Sequence, residues 1–189
     1  MDDVAAALRD GGVVLLPTDT VYGLAVATSV PGAVAQLFTL KGRERDVPIA
    51  VLVADAEQAW SLAAPPVPEG ALRLAARWWP GPLTLVVGRA AGWDVDLGGP
   101  GGTVGVRCPD HGLVRELCRA VGPLATTSAN RHGQPTPATA AEAAAAVGHT
   151  GVVVDGGPLV GAPSTVVDCT VAPPRVVREG AVPAAALVA

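Results

Sequence analysis

The sequence predicts a single-domain α/β fold, with one twisted mixed β-sheet flanked by helices. Three observations point to it. Short Val-rich runs bounded by Gly, Pro or Asp recur along the chain, as buried strands should. Segments with helical character lie between several of them, and strands mixed with helices favour layers packed around one sheet. The length of 189 residues suits one domain with one substantial core. We therefore expect one domain over 1–189, its core spanning about 10–182.

The elements follow in order. A helix is expected over 3–9 and a strand over 13–16, then a strand over 21–26. A helix over 31–40 would have Pro31 in its first turn, where the missing N–H costs nothing, and Gly42 just past its end. A strand over 49–53 precedes helices over 57–62 and 69–79, separated by the rigid connection Ala64-Pro65-Pro66-Val67-Pro68. Strands over 83–87 and 103–107 lead to a helix over 113–121. The helix over 139–147 has the clearest ends: Thr139 and Glu142 form a T-x-x-E capping box, Pro137 precedes it and Gly148 stops it. Strands over 152–154, 165–169 and 176–177 complete the set. Half of the residues are apolar but only 3% are aromatic, so Val, Leu and Ala fill the core. The 23 Gly and 18 Pro are dispersed between these runs, which marks turns and not disorder.

Charge and composition narrow the function. The net charge of −4 makes the surface as a whole no magnet for nucleic acid, so an anion site must be a local cluster. The start, Met1-Asp2-Asp3, is acidic where a signal peptide would be basic. No apolar run is long enough to span a bilayer. Cys108, Cys118 and Cys169 lack C-x-x-C spacing and read as reduced, half-buried thiols of a cytoplasmic protein. His111, His132 and His149 lack metal-ligand spacing, so no protein metal site is expected. There is no G-x-x-x-x-G-K-[ST], G-x-S-x-G or H-E-x-x-H, hence no P-loop and no covalent nucleophile.

Lysine usage is the first sharp clue. Of thirteen basic residues twelve are Arg, and Lys41 is the only Lys. An ammonium is a compact point charge with three donors, which a planar guanidinium does not reproduce; survival by chance at a helix end is the plainer explanation. Lys41-Gly42-Arg43 puts two cations beside a Gly turn, and a polyphosphate suits such a pair. Thr126-Thr127-Ser128-Ala129-Asn130 follows an apolar start. In extended chain Thr126, Ser128 and Asn130 share one face, where they can meet phosphate or ribose oxygens, or simply cap their own turn. Pro17-Thr18-Asp19-Thr20-Val21-Tyr22-Gly23 offers hydroxyls after a strand. Arg107, ending another strand, can clamp a carboxylate with two parallel hydrogen bonds. Ser164 and Arg178 stand beside later turns.

Taken in order, these segments resemble the YrdC/Sua5 family of threonylcarbamoyl-adenylate synthases. The K-x-R…S-x-N signature is matched by Lys41, Arg43, Ser128 and Asn130. P-T-x-T-x-Y-G-L is matched at 17–24, W-P-G-P-x-T at 79–84, V-R-x-P at 106–109, S-T-V-V-D at 164–168 and R-E-G at 178–180. The chain departs where the family often has Pro, Asn and His, carrying Glu44, Val47 and Leu52. The resemblance implies a YrdC/RibB-like domain of the short type that joins L-threonine, bicarbonate (or CO2) and ATP into threonylcarbamoyl-AMP, with pyrophosphate released. It assigns Lys41 and Arg43 to catalysis and to the triphosphate, with Mg2+. Thr103, Ser128, Asn130, Thr136 and Arg178 would hold the nucleotide. Thr18, Thr20, Arg107, Thr126 and Ser164 would hold threonine. It also implies a tRNA modification pathway, with possible tRNA contact and a downstream threonylcarbamoyl-transferase. An RNA-binding module, a carbamoyl-transfer relative and an inactive paralogue are the alternatives. The glycine stretches 98–102 and 156–161 are candidates for loops that close over ATP.

Overall fold

The structure, a computed structural model, describes residues 1–42, 45–131 and 133–187. Arg43, Glu44 and His132 lie outside the described residues. Among the described residues, nine strands form one open mixed sheet: β1 (Val14–Leu16), β2 (Gly23–Ala27), β3 (Ala50–Leu52), β4 (Leu83–Gly88), β5 (Thr103–Arg107), β6 (Leu124–Ser128), β7 (Val152–Val153), β8 (Thr165–Asp168) and β9 (Arg175–Arg178), in the spatial order β7-β1-β2-β6-β3-β5-β4-β8-β9. The helices are α1 (Asp2–Arg9), α2 (Ala33–Lys41), α3 (Ala56–Ser61), α4 (Glu69–Trp78), α5 (Gly112–Val121), α6 (Ala140–Val147) and the short α7 (Ala184–Leu187). All eight expected strands and six expected helices are present, with shifted ends.

Three details differ from expectation. Residues 124–128 form a full central strand, antiparallel to both neighbours β2 and β3; polar Thr and Ser masked it, because only one of its faces is covered. Pro31 does not enter α2. The Ala33 N–H donates to Val30 O at 3.2 Å and Gly32 has φ +79°, a tight turn with Pro second and Gly third, so the helix starts one residue after Gly32. The third is α7, four alanine- and leucine-type residues without any cap signal.

Side-chain alternation gives the sheet two unlike faces. On one, Leu24, Val26, Val51, Leu85, Val87, Val104, Val106, Ala125 and Val167 join one buried cluster with Leu37 and Phe38 of α2, Ala59 of α3, Ala71 and Ala75 of α4 and Ala143 of α6. On the other, Val14, Leu16, Ala25, Ala27, Leu52 and Leu124 are covered by Leu8 of α1 and Val114, Leu117 and Cys118 of α5. The rest of that second face carries Gly23, Ala50, Gly105, Thr126 and Ser128. Register places Ser128 opposite Gly23 and Thr126 opposite both Ala25 and Ala50. A Cβ on Gly23 would meet Thr126 Cγ2 at 2.9 Å, and one on Gly105 would meet Thr84 Cγ2 at 3.5 Å. Small and polar residues thus floor a shallow trough, because bulky apolar ones there would have no helix to cover them.

The segment after β7 runs back over this trough's edge. Tyr22, fully buried, donates to Gly157 O (2.7 Å) and Asp155 Oδ1 (3.1 Å) and accepts from the Gly156 N–H (2.9 Å). A Cβ on Gly156 would come within 2.7 Å of Pro17, and one on Gly161 within 2.7 Å of Thr20 O. Residues 156–161, expected to be a loose loop, are therefore pinned to the β1–β2 turn. Tyr22→Phe should lower unfolding free energy by about 0.5–1.5 kcal/mol, since the part-buried bonds of its hydroxyl to Gly156 and Gly157 are lost. Urea denaturation checks this; an unchanged midpoint would show that Tyr22 does not hold the segment.

Candidate active site

The two cationic and polar motifs that lie 87 residues apart meet at one end of the trough. Gly42, with φ +57°, stops α2 and leaves Lys41 in its last turn. The Lys41 side chain, 6% exposed, donates to Ser128 O (2.8 Å), Ser128 Oγ (2.8 Å) and Asn130 Oδ1 (3.0 Å). One ammonium thus organises the end of β6 and the turn after it. Asn130 Nδ2 in turn donates to Arg131 O at 3.1 Å and to Gln134 O, so its oxygen faces Lys41. A guanidinium could not reproduce this compact three-way contact. Thr136 stands half-buried in the same loop.

A second cluster surrounds Arg107 at the end of β5. The Arg107 side chain is 7% exposed and pairs at 2.6 Å with Asp19, itself 13% exposed. Its Nε donates to Gly81 O (3.1 Å) and one Nη to Thr20 Oγ1 (3.0 Å). Burial pushes the Arg107 pKa down and the Asp19 charge opposes that shift. The sequence places Arg107 as a clamp for a carboxylate, and here the chain's own Asp19 occupies one arm of the fork. Thr18 serves its own turn: Oγ1 donates to Val21 O (2.8 Å) and accepts from the Thr20 and Val21 N–H groups. Of the two threonines, Thr20 is the one whose hydroxyl meets Arg107.

The third cluster lies beside the second. Arg178 donates to Ser164 O at 2.7 Å and to Ser164 Oγ at 3.4 Å, and Ser164 Oγ also meets Thr84 Oγ1 at 2.9 Å. Burial first, and the charge of Arg107 second, lower the Arg178 pKa, so the two guanidiniums are near enough to repel. Gly180 makes the R-E-G turn feasible: a Cβ there would lie 2.1 Å from Pro163 O. A buried Arg107 and a largely exposed Arg178 with one neighbouring carboxylate leave a local positive excess, which suits an incoming anion.

Thr126 lies half-buried on the uncovered face. Thr103, exposed, starts β5 opposite Gly88. Four residues of extended chain separate it from Arg107 by roughly 13 Å, and parallel pairing of β3 with β5 puts Thr103 toward the Ser128 end. The trough therefore runs from Lys41, Ser128 and Thr103 at one end to Arg107, Arg178 and Ser164 at the other.

The three cysteines are buried outright, not half-buried. Desolvation raises the Cys118 thiol to about 12 and the Cys169 thiol to about 11, which leaves them unreactive.

Comparison with known proteins places this architecture. The Sua5/YciO/YrdC family model, described as "Telomere recombination", matches residues 6–180. The chain belongs to this family. A Mycobacterium tuberculosis relative is 44% identical over 178 residues, covering 93% of this chain and 82% of the relative. The Bacillus subtilis threonylcarbamoyl-AMP synthase is 40% identical over 184 residues, 94% of this chain and 52% of the synthase. The crystal structure of Pyrococcus abyssi Sua5 complexed with L-threonine superposes with a TM-score of 0.89 at 38% identity, covering 96% of this chain and 54% of that one. The chain thus spans about half the length of the latter two.

Within this Sua5/YciO/YrdC domain, sequence reasoning missed Asp19, Thr84 and the Gly81 carbonyl. Asp19 had a signal: it is the one charged residue inside a hydroxyl-rich turn. Thr84 and Gly81 lie in the W-P-G-P-x-T segment, but what they touch arises only when β4, β5 and β8 come side by side.

Proposed function

We propose that this chain is a threonylcarbamoyl-AMP synthase, forming that adenylate and pyrophosphate from L-threonine, bicarbonate or CO2, and ATP. The observation that carries the proposal is the contact of Lys41 with Ser128 and Asn130 at one end of a trough that has Arg107 and Arg178 at its other end. It is supported by the name of the Bacillus subtilis relative and by the L-threonine complex of the Pyrococcus abyssi structure.

The threonine amine takes up CO2 to give a carbamate, and a carbamate oxygen attacks the α-phosphorus of ATP with pyrophosphate leaving. Such chemistry needs alignment and charge neutralisation more than acid–base help. Lys41 and Arg43 would face the triphosphate; Ser128, Asn130, Thr136, Thr103 and Arg178 would hold the nucleotide. Thr20, Arg107, Thr126 and Ser164 would hold threonine, with Thr18 shaping the turn. Among the described residues no group of three His, Cys, Asp or Glu side chains gathers for a metal. Mg2+ would therefore be held chiefly by the nucleotide's phosphate oxygens and water, as is common for this ion. The product would pass to a threonylcarbamoyl-transferase acting on tRNA, in the cytoplasm. No helix among the described residues is long and apolar enough to cross a membrane.

The test is pyrophosphate release by purified protein with and without L-threonine and bicarbonate. Release that requires both supports the proposal, and no release under any combination overturns it.

A further inference from the structure

Thr84 and Ser164 share one hydrogen bond and hold two protons. Their hydroxyl oxygens lie 2.9 Å apart. Among the described residues, the other polar group at either hydroxyl is the Arg178 guanidinium, a donor 3.4 Å from Ser164 Oγ. A hydroxyl brings one proton and two acceptor lone pairs, and a guanidinium accepts nothing. One proton therefore bridges the pair, and the other finds no acceptor among these groups. Thr84 is 3% exposed and Ser164 7%, and polar groups buried to that degree are normally paired. The unspent proton marks a place for an acceptor from outside the chain, water in the free protein or a ligand oxygen in a complex.

The fold decides which hydroxyl keeps that proton. Thr84 stands on β4 on the trough face, its Cγ2 methyl over Gly105, where an added Cβ would meet it at 3.5 Å. Its hydroxyl has Ser164 as its one partner, so a proton left on Thr84 would be buried beneath Ser164. Ser164 lies just before β8, and its carbonyl holds the exposed Arg178 at 2.7 Å. A proton left on Ser164 therefore emerges beside a cation, where an anionic oxygen can meet both. We propose that Thr84 is a positioning residue: its hydroxyl donates to Ser164 Oγ and so turns the Ser164 proton outward, as a donor to an anionic oxygen of the amino-acid substrate. The proposal rests on the use of L-threonine proposed above. Thr84 contributes in two ways. It holds the Ser164 side chain in one of three staggered rotamers, and a hydroxyl that accepts a hydrogen bond is polarised into a stronger donor.

Steady-state pyrophosphate release by Thr84→Val, which keeps the shape and removes the hydroxyl, tests this. The KM for L-threonine should rise ~3–10-fold, the range for one hydrogen bond and the rotamer freedom it removes. The KM for ATP should stay within ~2-fold of wild type, since only the threonine side of the trough is touched. Thr84→Ser keeps the hydroxyl and should hold the threonine KM within ~2-fold of wild type. In a Ser164→Ala background, Thr84→Val should add less than ~2-fold, because a residue acting through Ser164 has nothing left to position. An unchanged threonine KM in Thr84→Val overturns this inference alone. Equal rises in both KM values, a full further loss in the Ser164→Ala background, or a Thr84→Ser defect equal to that of Thr84→Val do the same. Should Thr84→Val fail to fold, Thr84→Ala carries the same expectations. Absence of threonine-dependent pyrophosphate release by the wild-type protein overturns the proposed function and this inference together.

Discussion

Lys41→Ala should reduce threonine-dependent pyrophosphate release by at least ~10³-fold, at or beyond the upper end for losing one preorganised electrostatic group. The reason is double. The ammonium donates to the Ser128 and Asn130 oxygens at 2.8–3.0 Å, and it also fixes where those groups point. Removing it withdraws a positive charge from the place proposed for the triphosphate and lets the S-x-N turn relax. Ser128 is half-buried, so water can replace part of the lost bonding and the fold should survive, at a cost of about 1–3 kcal/mol. Lys41→Arg should remain impaired, since a planar fork cannot place three donors around one point. Pyrophosphate release from folded Lys41→Ala within ~10-fold of wild type would remove Lys41 from the chemistry; that threshold corresponds to about 1.4 kcal/mol of barrier.

Arg107→Met is expected to have the largest effect on stability. Arg107 and Asp19 are 7% and 13% exposed, so deleting the cation strands a buried carboxylate. Breaking one side of a buried pair costs about 3–5 kcal/mol. The Gly81 and Thr20 oxygens lose their donors as well. Thermal unfolding should therefore fall by roughly 6–20 °C, using 2–4 °C per kcal/mol for a domain of this size. The double variant Arg107→Met with Asp19→Asn should regain much of the loss, because no unpaired charge remains. Additive destabilisation in that double variant would show that the pair is not coupled. L-threonine binding should be lost in both, which distinguishes a site residue from a purely structural one.

The layered fold was legible because its causes are local. Short Val-rich runs bounded by Gly, Pro or Asp, the Thr139–Glu142 capping box, present in the structure with both of its reciprocal hydrogen bonds, and Gly42 in the left-handed region act within a few residues. Residues 124–128 were harder: Thr126 and Ser128 look like a loop until one sees that α1 and α5 cover only the Leu124 end of their face. Pro31 misled because a Pro-Gly pair can start a helix or close a turn, and the bond from Ala33 to Val30 decides for the turn.

The sequence by itself determined the element order, the cationic and hydroxyl inventory, and the family to which their order belongs. Tertiary structure decided what each group touches. Lys41 reaches Ser128 and Asn130 only because α2 packs beside β2 and β6; Arg107 meets Asp19 only because the turn after β1 comes to the end of β5. It also decided that Thr18 is consumed by its own turn while Asp19 keeps one oxygen unpaired. The physical reason is range. Propensity, capping and turn chemistry are set by neighbours in the chain, whereas burial and charge pairing depend on groups that only packing brings together.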